Sequence, residues 1–197
     1  CKGYMGFAGT LGHEFVGIAR SGRFAGQRVV GEINCACHAC EMCRRQLSNH
    51  CPNRAVIGIV AHDGAFADSV IVPDRNLHVI PNHVTDNEAV FVEPLAAACR
   101  ISEQVPLTGG EVVTVLGDGR LGNLCAQVLR HQGCQVRVVG KHTFKLQILE
   151  QLGIPTITLG DLQPQRDSDI VVDCTGSPTG LTTALQLVRP CGTIVLK

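Results

Sequence analysis

Glu111-Val112-Val113-Thr114-Val115-Leu116-Gly117-Asp118-Gly119-Arg120-Leu121-Gly122 is the stretch on which the fold turns. Its first half is a β-branched run, the composition of a buried strand. Its second half is Gly-x-Gly-x-x-Gly, and beyond it Leu121, Leu124, Cys125, Val128 and Leu129 repeat at helical spacing. A lone glycine motif is weak evidence, but one lying between a strand and a helix has a defined physical use. Gly117 allows the tight turn, Gly119 lets backbone approach a pyrophosphate, and Gly122 lets helix and strand pack closely. The helix N-terminus, with Asp118, Arg120 and Leu121 between the glycines, then offers free N–H groups to the anion. An ordinary strand-to-helix turn with no ligand is the competing reading.

C-terminal to this turn the pattern repeats. Gly133 ends the helix, and Gln135–Val139 is a second strand. Helical spacing over Thr143–Leu152 is followed by a short strand at Thr156–Thr158. Ile170–Asp173 is a fourth strand, Leu181–Val188 a helix, and Thr193–Leu196 a fifth strand. Such interleaving predicts an α/β unit with a doubly wound parallel sheet and right-handed crossovers. A carboxylate is expected where the second strand ends, to accept hydrogen bonds from the adenosine ribose; this chain has Gly140-Lys141-His142. Gly leaves space, and Lys141 and His142 bring positive charge toward a 2′-phosphate, which favours NADP over NAD. The alternative is a solvated loop whose charges do nothing.

N-terminal to it the chain reads differently. Phe15–Ala19, Gln27–Val30, Ile57–Val60, Phe66–Val72 and Leu77–Ile80 are strand-length apolar runs punctuated by turn residues. They predict an irregular antiparallel β domain. Thr85-Asp86-Asn87-Glu88 has the form of a helix cap, opening a helix reset by Pro94. Pro106-Leu107-Thr108-Gly109-Gly110 is a natural boundary, giving domains at 1–105 and 106–197.

Out of the β domain comes a polar loop carrying Cys37, Cys40, Cys43 and Cys51 at C-x2-C-x2-C-x7-C spacing. With so few large apolar residues, such a loop cannot hold its shape by burial. Four thiolates on one tetrahedral zinc can hold it, in a closed site with no free coordination position. Disulfides do not explain the three-residue steps. An iron–sulfur cluster is the sharper rival because Pro52 follows Cys51, but the last gap is seven residues rather than three and no second set completes a two-cluster pattern. Cys35 lies outside the spacing.

Seventeen basic residues balance 17 acidic ones, so there is no basic field for nucleic acid. No apolar run reaches membrane-spanning length and no signal peptide is visible, which predicts a cytoplasmic protein without membrane contact. Eleven cysteines without an export signal fit metal binding better than a disulfide framework. Both ends look cut, so the chain is read as part of a longer protein.

Gly12-His13-Glu14, the four-cysteine loop, Glu93-Pro94-Leu95 and the glycine motif together resemble the zinc-containing alcohol and polyol dehydrogenases of the medium-chain dehydrogenase/reductase superfamily, near the sorbitol and threonine dehydrogenases. The resemblance implies a partial GroES-like catalytic domain and a partial Rossmann domain meeting at a cleft. It implies that Cys37, Cys40, Cys43 and Cys51 hold a structural zinc, and that His13, Glu14 and Glu93 serve a catalytic zinc as ligands or close support. Thr175-Gly176 matches residues near the nicotinamide. The implied reaction is hydride transfer between a small alcohol or polyol and the cofactor, in a homo-oligomer, dimer or tetramer. A catalytic zinc keeps three protein ligands and one open position, where it acts as a Lewis acid. The family's further Cys ligand and its proton-relaying Thr or Ser are absent from this sequence, and Cys1, twelve residues before His13, is not read as that ligand. The last Rossmann strand is missing too, so these residues alone are not expected to turn over substrate. The competing function is a non-catalytic scaffold that keeps the zinc and nucleotide sites.

Overall fold

The structure is a computed structural model describing residues 6–197; Cys1 lies outside the described residues. Two compact units divide the chain, Cys1–Glu93 and Pro94–Lys197. Among the described residues no helix is long and apolar enough to cross a membrane.

In the first unit, β1 (Val16–Ile18), β2 (Arg28–Gly31) and β5 (Leu77–Val79) form a three-stranded antiparallel sheet in the order β1-β2-β5. Val30, Ile80 and Ala89 bury its small core, with Val16 and Val84 packed alongside. A second ladder, β3 (Asn34–Cys35) against β4 (Ala55–Val56), forms the neck from which the cysteine loop extends. Two predicted strands are absent. Ile57–Val60 is a turn closed by a Val56–Val60 bridge, because Gly58 at φ +67° breaks the extended run while Ile57 is buried within it. Phe66–Val72 is not a strand either. It has apolar residues but no partner strand among the described residues, leaving Phe66 and Ile71 78% and 87% exposed.

Thr85 caps α2 (Asp86–Ala89) through a complete capping box with Glu88. The chain breaks at Val90-Phe91 and restarts as α3 (Val92–Gln104), which puts Pro94 in the first turn, where a missing N–H costs nothing. The division between the compact units falls there rather than at 105/106. Ala98 and Ile101 of α3 are fully buried in the core of the second unit.

That unit is a five-stranded parallel sheet: β6 (Val112–Leu116), β7 (Gln135–Gly140), β8 (Thr156–Thr158), β9 (Ser168–Asp173) and β10 (Val188–Leu196), in the order β10-β9-β6-β7-β8. Helices α4 (Arg120–His131), α5 (Thr143–Gln151) and α6 (Pro178–Leu187) make the crossovers. Helix α6 starts ahead of the apolar run that announces it, because Ser177 caps it and Pro178 fits the first helical position. Val113, Val115, Val136, Val138, Ile170 and Val172 meet α3, α4 and α5 on one face. Leu116, Val139 and Val171 meet α6 on the other. Both faces are apolar, as a parallel sheet requires. One polar group interrupts them. Thr114 and Ser168 are fully buried with hydroxyls 2.8 Å apart, and Arg137 Nε donates to Thr114 Oγ1 at 2.8 Å while its Nη1 donates to Asp167 at 3.0 Å.

Strand order reverses between β6 and β9, so the connections leaving their C-terminal ends run to opposite faces, to α4 and α6, and leave a crevice, the place where folds of this kind bind ligands. Leu129 of α4 is completely buried against the opposite side of β6. Leu129→Ala is expected to lower unfolding free energy by about 2–5 kcal/mol, whereas Leu185→Ser, half exposed on α6, is expected to move it by less than about 1 kcal/mol in denaturant titration.

Candidate metal and nucleotide sites

Between Glu32 and Val56 the only buried side chain is Cys51, so the cysteine loop has no apolar core. Short helical turns, α1 (Glu41–Arg44) and Ser48–His50, bring its thiols together, and Arg44 donates to the carbonyl of Ala39. The sulfurs of Cys37, Cys40, Cys43 and Cys51 lie within 4.8 Å of one another. Adjacent pairs are closer: Cys40–Cys43 at 3.5 Å, Cys40–Cys51 at 3.7 Å and Cys37–Cys51 at 3.5 Å. A tetrahedron with Zn–S bonds of about 2.3 Å has edges of about 3.8 Å, so this donor set fits zinc. Backbone N–H groups of Ala39 and Cys40 draw the Cys37 thiol down to about 6, while desolvation and the neighbouring thiols push Cys43 up to about 12. A bound cation overrides that inequality by favouring all four thiolates. Cys35 is not in the group; it faces the Asn76 amide, 3.9 Å away.

A second group lies in the same compact unit. His13, Glu14 and Glu93 each bring one ligand atom within 4.8 Å of the others. The segment carrying His13 is gripped by glycines: a Cβ on Gly58 or Gly64 would come within 2.4 Å and 2.2 Å of the Gly12 carbonyl, which accepts from Ala65 N–H at 2.8 Å. Glu93 is presented by the first turn of α3. Burial raises its carboxyl above the ordinary range, with His13 opposing and Glu14 reinforcing the shift. One imidazole and two carboxylates, His13 and Glu93 partly buried and Glu14 exposed, are drawn together against their own repulsion and make a donor set suited to a divalent cation with room for a further ligand. These are the two such groups among the described residues.

In the parallel-sheet unit, a cleft of about 270 Å³ opens at the ends of β6, β7 and β9. Gly117, Asp118, Gly119, Gly140, Lys141, His142 and Thr175 line it. Gly117 has φ +113°, a conformation glycine adopts freely, and a Cβ there would meet the Cys174 carbonyl at 2.9 Å. A Cβ on Gly122 would sit 2.1 Å from the Gly117 oxygen, whereas one on Gly119 would meet nothing within 4 Å. The middle glycine therefore faces open space at the N-cap of α4, a cradle shaped for a pyrophosphate. Arg120, Leu121, Gly122 and Gly176 do not line the cleft, and Leu121 packs against the core instead.

One participant is not singled out by sequence. Asp173, at the end of β9, accepts from Thr175 N–H at 2.9 Å and Thr175 Oγ1 at 2.7 Å, fixing that threonine at the rim. Asp-x-Thr directly after a strand is the signal that marks it. Asp118, a cofactor-binding candidate as part of the glycine motif, sends its side chain across to the end of β7. Its Oδ2 accepts from Lys141 N–H at 2.7 Å and His142 N–H at 2.6 Å, and lies 3.0 Å from His142 Nδ1. Burial acts to raise its carboxyl, but these donors outweigh burial and hold it below the ordinary range.

Residues 2–82 match the alcohol dehydrogenase GroES-like domain family. The chain is 28% identical to L-threonine 3-dehydrogenase of Xanthomonas euvesicatoria pv. vesicatoria, an alignment covering 95% of this chain and 59% of that one. It is 27% identical to the D-xylulose reductase A described as probable in Aspergillus fumigatus, covering 94% and 58%. A zinc-binding dehydrogenase of Sinorhizobium meliloti 1021, solved bound to NADP, superposes with a TM-score of 0.87 at 28% identity over 95% of this chain and 60% of that one. The chain thus spans a little under three-fifths of its curated relatives' length.

If the four clustered thiols hold zinc, Cys51→Ser should cost the protein about one equivalent of zinc by elemental analysis and, with it, much of the loop's protection from proteolysis. Cys35→Ser should retain full metal. Iron in place of zinc, with a visible absorption band, would contradict the assignment.

Proposed function

We propose that this chain belongs to the zinc-containing branch of the medium-chain dehydrogenase/reductase superfamily and has a place in an oxidoreductase that moves hydride between a small alcohol or polyol and a nicotinamide cofactor. The observation that carries this reading is the convergence of His13, Glu14 and Glu93. A closed four-thiolate site needs no such second cluster, and a scaffold has no use for a raised, half-buried carboxyl beside an imidazole.

The roles divide by chemistry. Cys37, Cys40, Cys43 and Cys51 hold a structural zinc, closing the loop that lacks a core. His13 and Glu93 hold a catalytic zinc, with Glu14 ligating it or steadying its surroundings; when bound, zinc supplies Lewis acidity that eases loss of the alcohol proton. The glycine turn seats the cofactor's pyrophosphate, with Gly119 giving it backbone access and the α4 N-terminus giving it N–H donors. Thr175, anchored by Asp173, and Gly176 lie on the nicotinamide side. A nicotinamide supplies the hydride acceptor. Lys141 and His142 favour NADP over NAD, a preference supported by their charge at the end of β7. The unit Cys1–Glu93 belongs to the catalytic portion and the unit Pro94–Lys197, which includes most of α3, to the nucleotide-binding portion. A cytoplasmic homo-oligomer, dimer or tetramer, is the setting that the resemblance implies.

The full-length protein, kept zinc-replete, should reduce NADP in the presence of an alcohol or polyol, followed by absorbance of the reduced cofactor. His13→Ala should lower kcat/KM on the order of 100-fold or more while leaving the four-thiolate zinc in place. Absence of turnover across a panel of alcohols and polyols, with both zinc equivalents present, would favour the scaffold.

A further inference from the structure

We infer that Asp118 is a positioning residue for cofactor selection: from the glycine turn it holds the Lys141-His142 segment as a socket for a ribose 2′-phosphate. The inference rests on the NADP reading and assigns the part of the molecule that produces it.

Dinucleotide folds of this topology ordinarily carry a carboxylate at the end of the second strand, aimed at the ribose hydroxyls. In this chain the carboxylate is elsewhere. It stands on the turn after β6, and the end of β7 has a glycine, with no side chain, beside it. A Cβ on Gly140 would lie 2.6 Å from Asp118 Cβ and 2.8 Å from its Oδ2. Asp118 and Gly140 therefore work as a pair, one supplying the acid and the other the vacancy beside it.

Position changes what the acid does. The Asp118 side chain is 9% exposed and that of His142 50%, so the carboxylate lies beneath and the imidazole above. Oδ2 is taken by two backbone N–H groups and approached by His142 Nδ1; Oδ1 is 3.2 Å from the same ring nitrogen and 3.9 Å from Lys145 Nζ. With its acceptor sites so occupied, the carboxylate has little left to offer ribose hydroxyls. It fixes the imidazole through Nδ1, leaving Nε2 to donate to a phosphate oxygen when the ring carries both protons. One buried negative charge faces Lys141, Lys145 and His142, so the rim remains electropositive. Acceptance from the Lys141 and His142 N–H groups fixes the backbone from which both side chains project, which is what a rigid phosphate socket requires.

Titration calorimetry of the full-length protein with 2′,5′-ADP and 5′-ADP tests this, since the two probes differ by one phosphate. The wild type should bind 2′,5′-ADP more tightly. Asp118→Asn, close in size but presenting a donor to these N–H groups, should weaken 2′,5′-ADP about tenfold more than it weakens 5′-ADP. Gly140→Ala, which displaces the carboxylate without altering it, and His142→Gln should reproduce that selective loss. Combining Asp118→Asn with His142→Gln should add little to either, because both act through one contact. A wild type with no preference for 2′,5′-ADP overturns the NADP reading and the inference together. A wild-type preference that survives Asp118→Asn, or variants that weaken both probes equally, overturns the role of Asp118 alone.

Discussion

The carbonyl oxygen of Gly117 occupies the place where Gly122 would carry a Cβ, 2.1 Å from it. That contact sets how closely the first turn of α4 can approach the end of β6. Closeness of α4 buries Cys125, Ala126 and Leu129 against Val113 and Val115, and so it also determines how well the central strand is covered. The same approach aims the helix N-terminus at the crevice where strand order reverses. Any side chain at position 122 would push the helix outward, opening the core and misdirecting the N–H groups together. Packing and ligand binding rest here on one missing methyl group.

The cysteine loop solves the opposite problem. Where the sheet fixes its turns by apolar burial on two faces, the loop between β3 and β4 buries only Cys51. Its geometry depends on sulfurs 3.5–3.7 Å apart, an arrangement favourable around a cation and unfavourable for bare thiolates. The His13, Glu14 and Glu93 cluster shares that logic but is built on better-supported backbone, gripped by Gly58 and Gly64 on one side and the start of α3 on the other.

Much of this was legible in the sequence because it depends on local pattern. Strand-to-helix alternation, the capping box at Thr85, and the thiol spacing are each decided within a few residues. The failures share a cause. Ile57–Val60 and Phe66–Val72 have strand composition, but a strand also needs a partner, and partners are not written in the run itself; one became a buried turn around Gly58 and the other an exposed segment. Helix α3 packs into the sheet unit although its apolar face gives no hint of which neighbour it will meet. Asp118 is legible as part of the glycine motif, but its bridging role is not, because its contacts cross from one strand end to the next, 23 and 24 residues along the chain. Its absence of periodicity is what a bridging side chain looks like in one dimension.

The buried hydroxyls of Thr114 and Ser168, with Arg137, bear on how the sheet finds its alignment. A parallel sheet apolar on both faces would tolerate a strand sliding past its neighbour, since valine would still meet valine. Thr114 stands opposite Arg137 in the β6–β7 ladder, and only there does the guanidinium reach both hydroxyls and Asp167. Sliding β7 by one or two residues would strand the buried Thr114 hydroxyl without its Arg137 donor and set the guanidinium against hydrocarbon. Each misaligned sheet thus carries a desolvation penalty that the aligned sheet escapes. The network thus favours the one alignment that keeps the Thr114 hydroxyl and the Arg137 guanidinium paired.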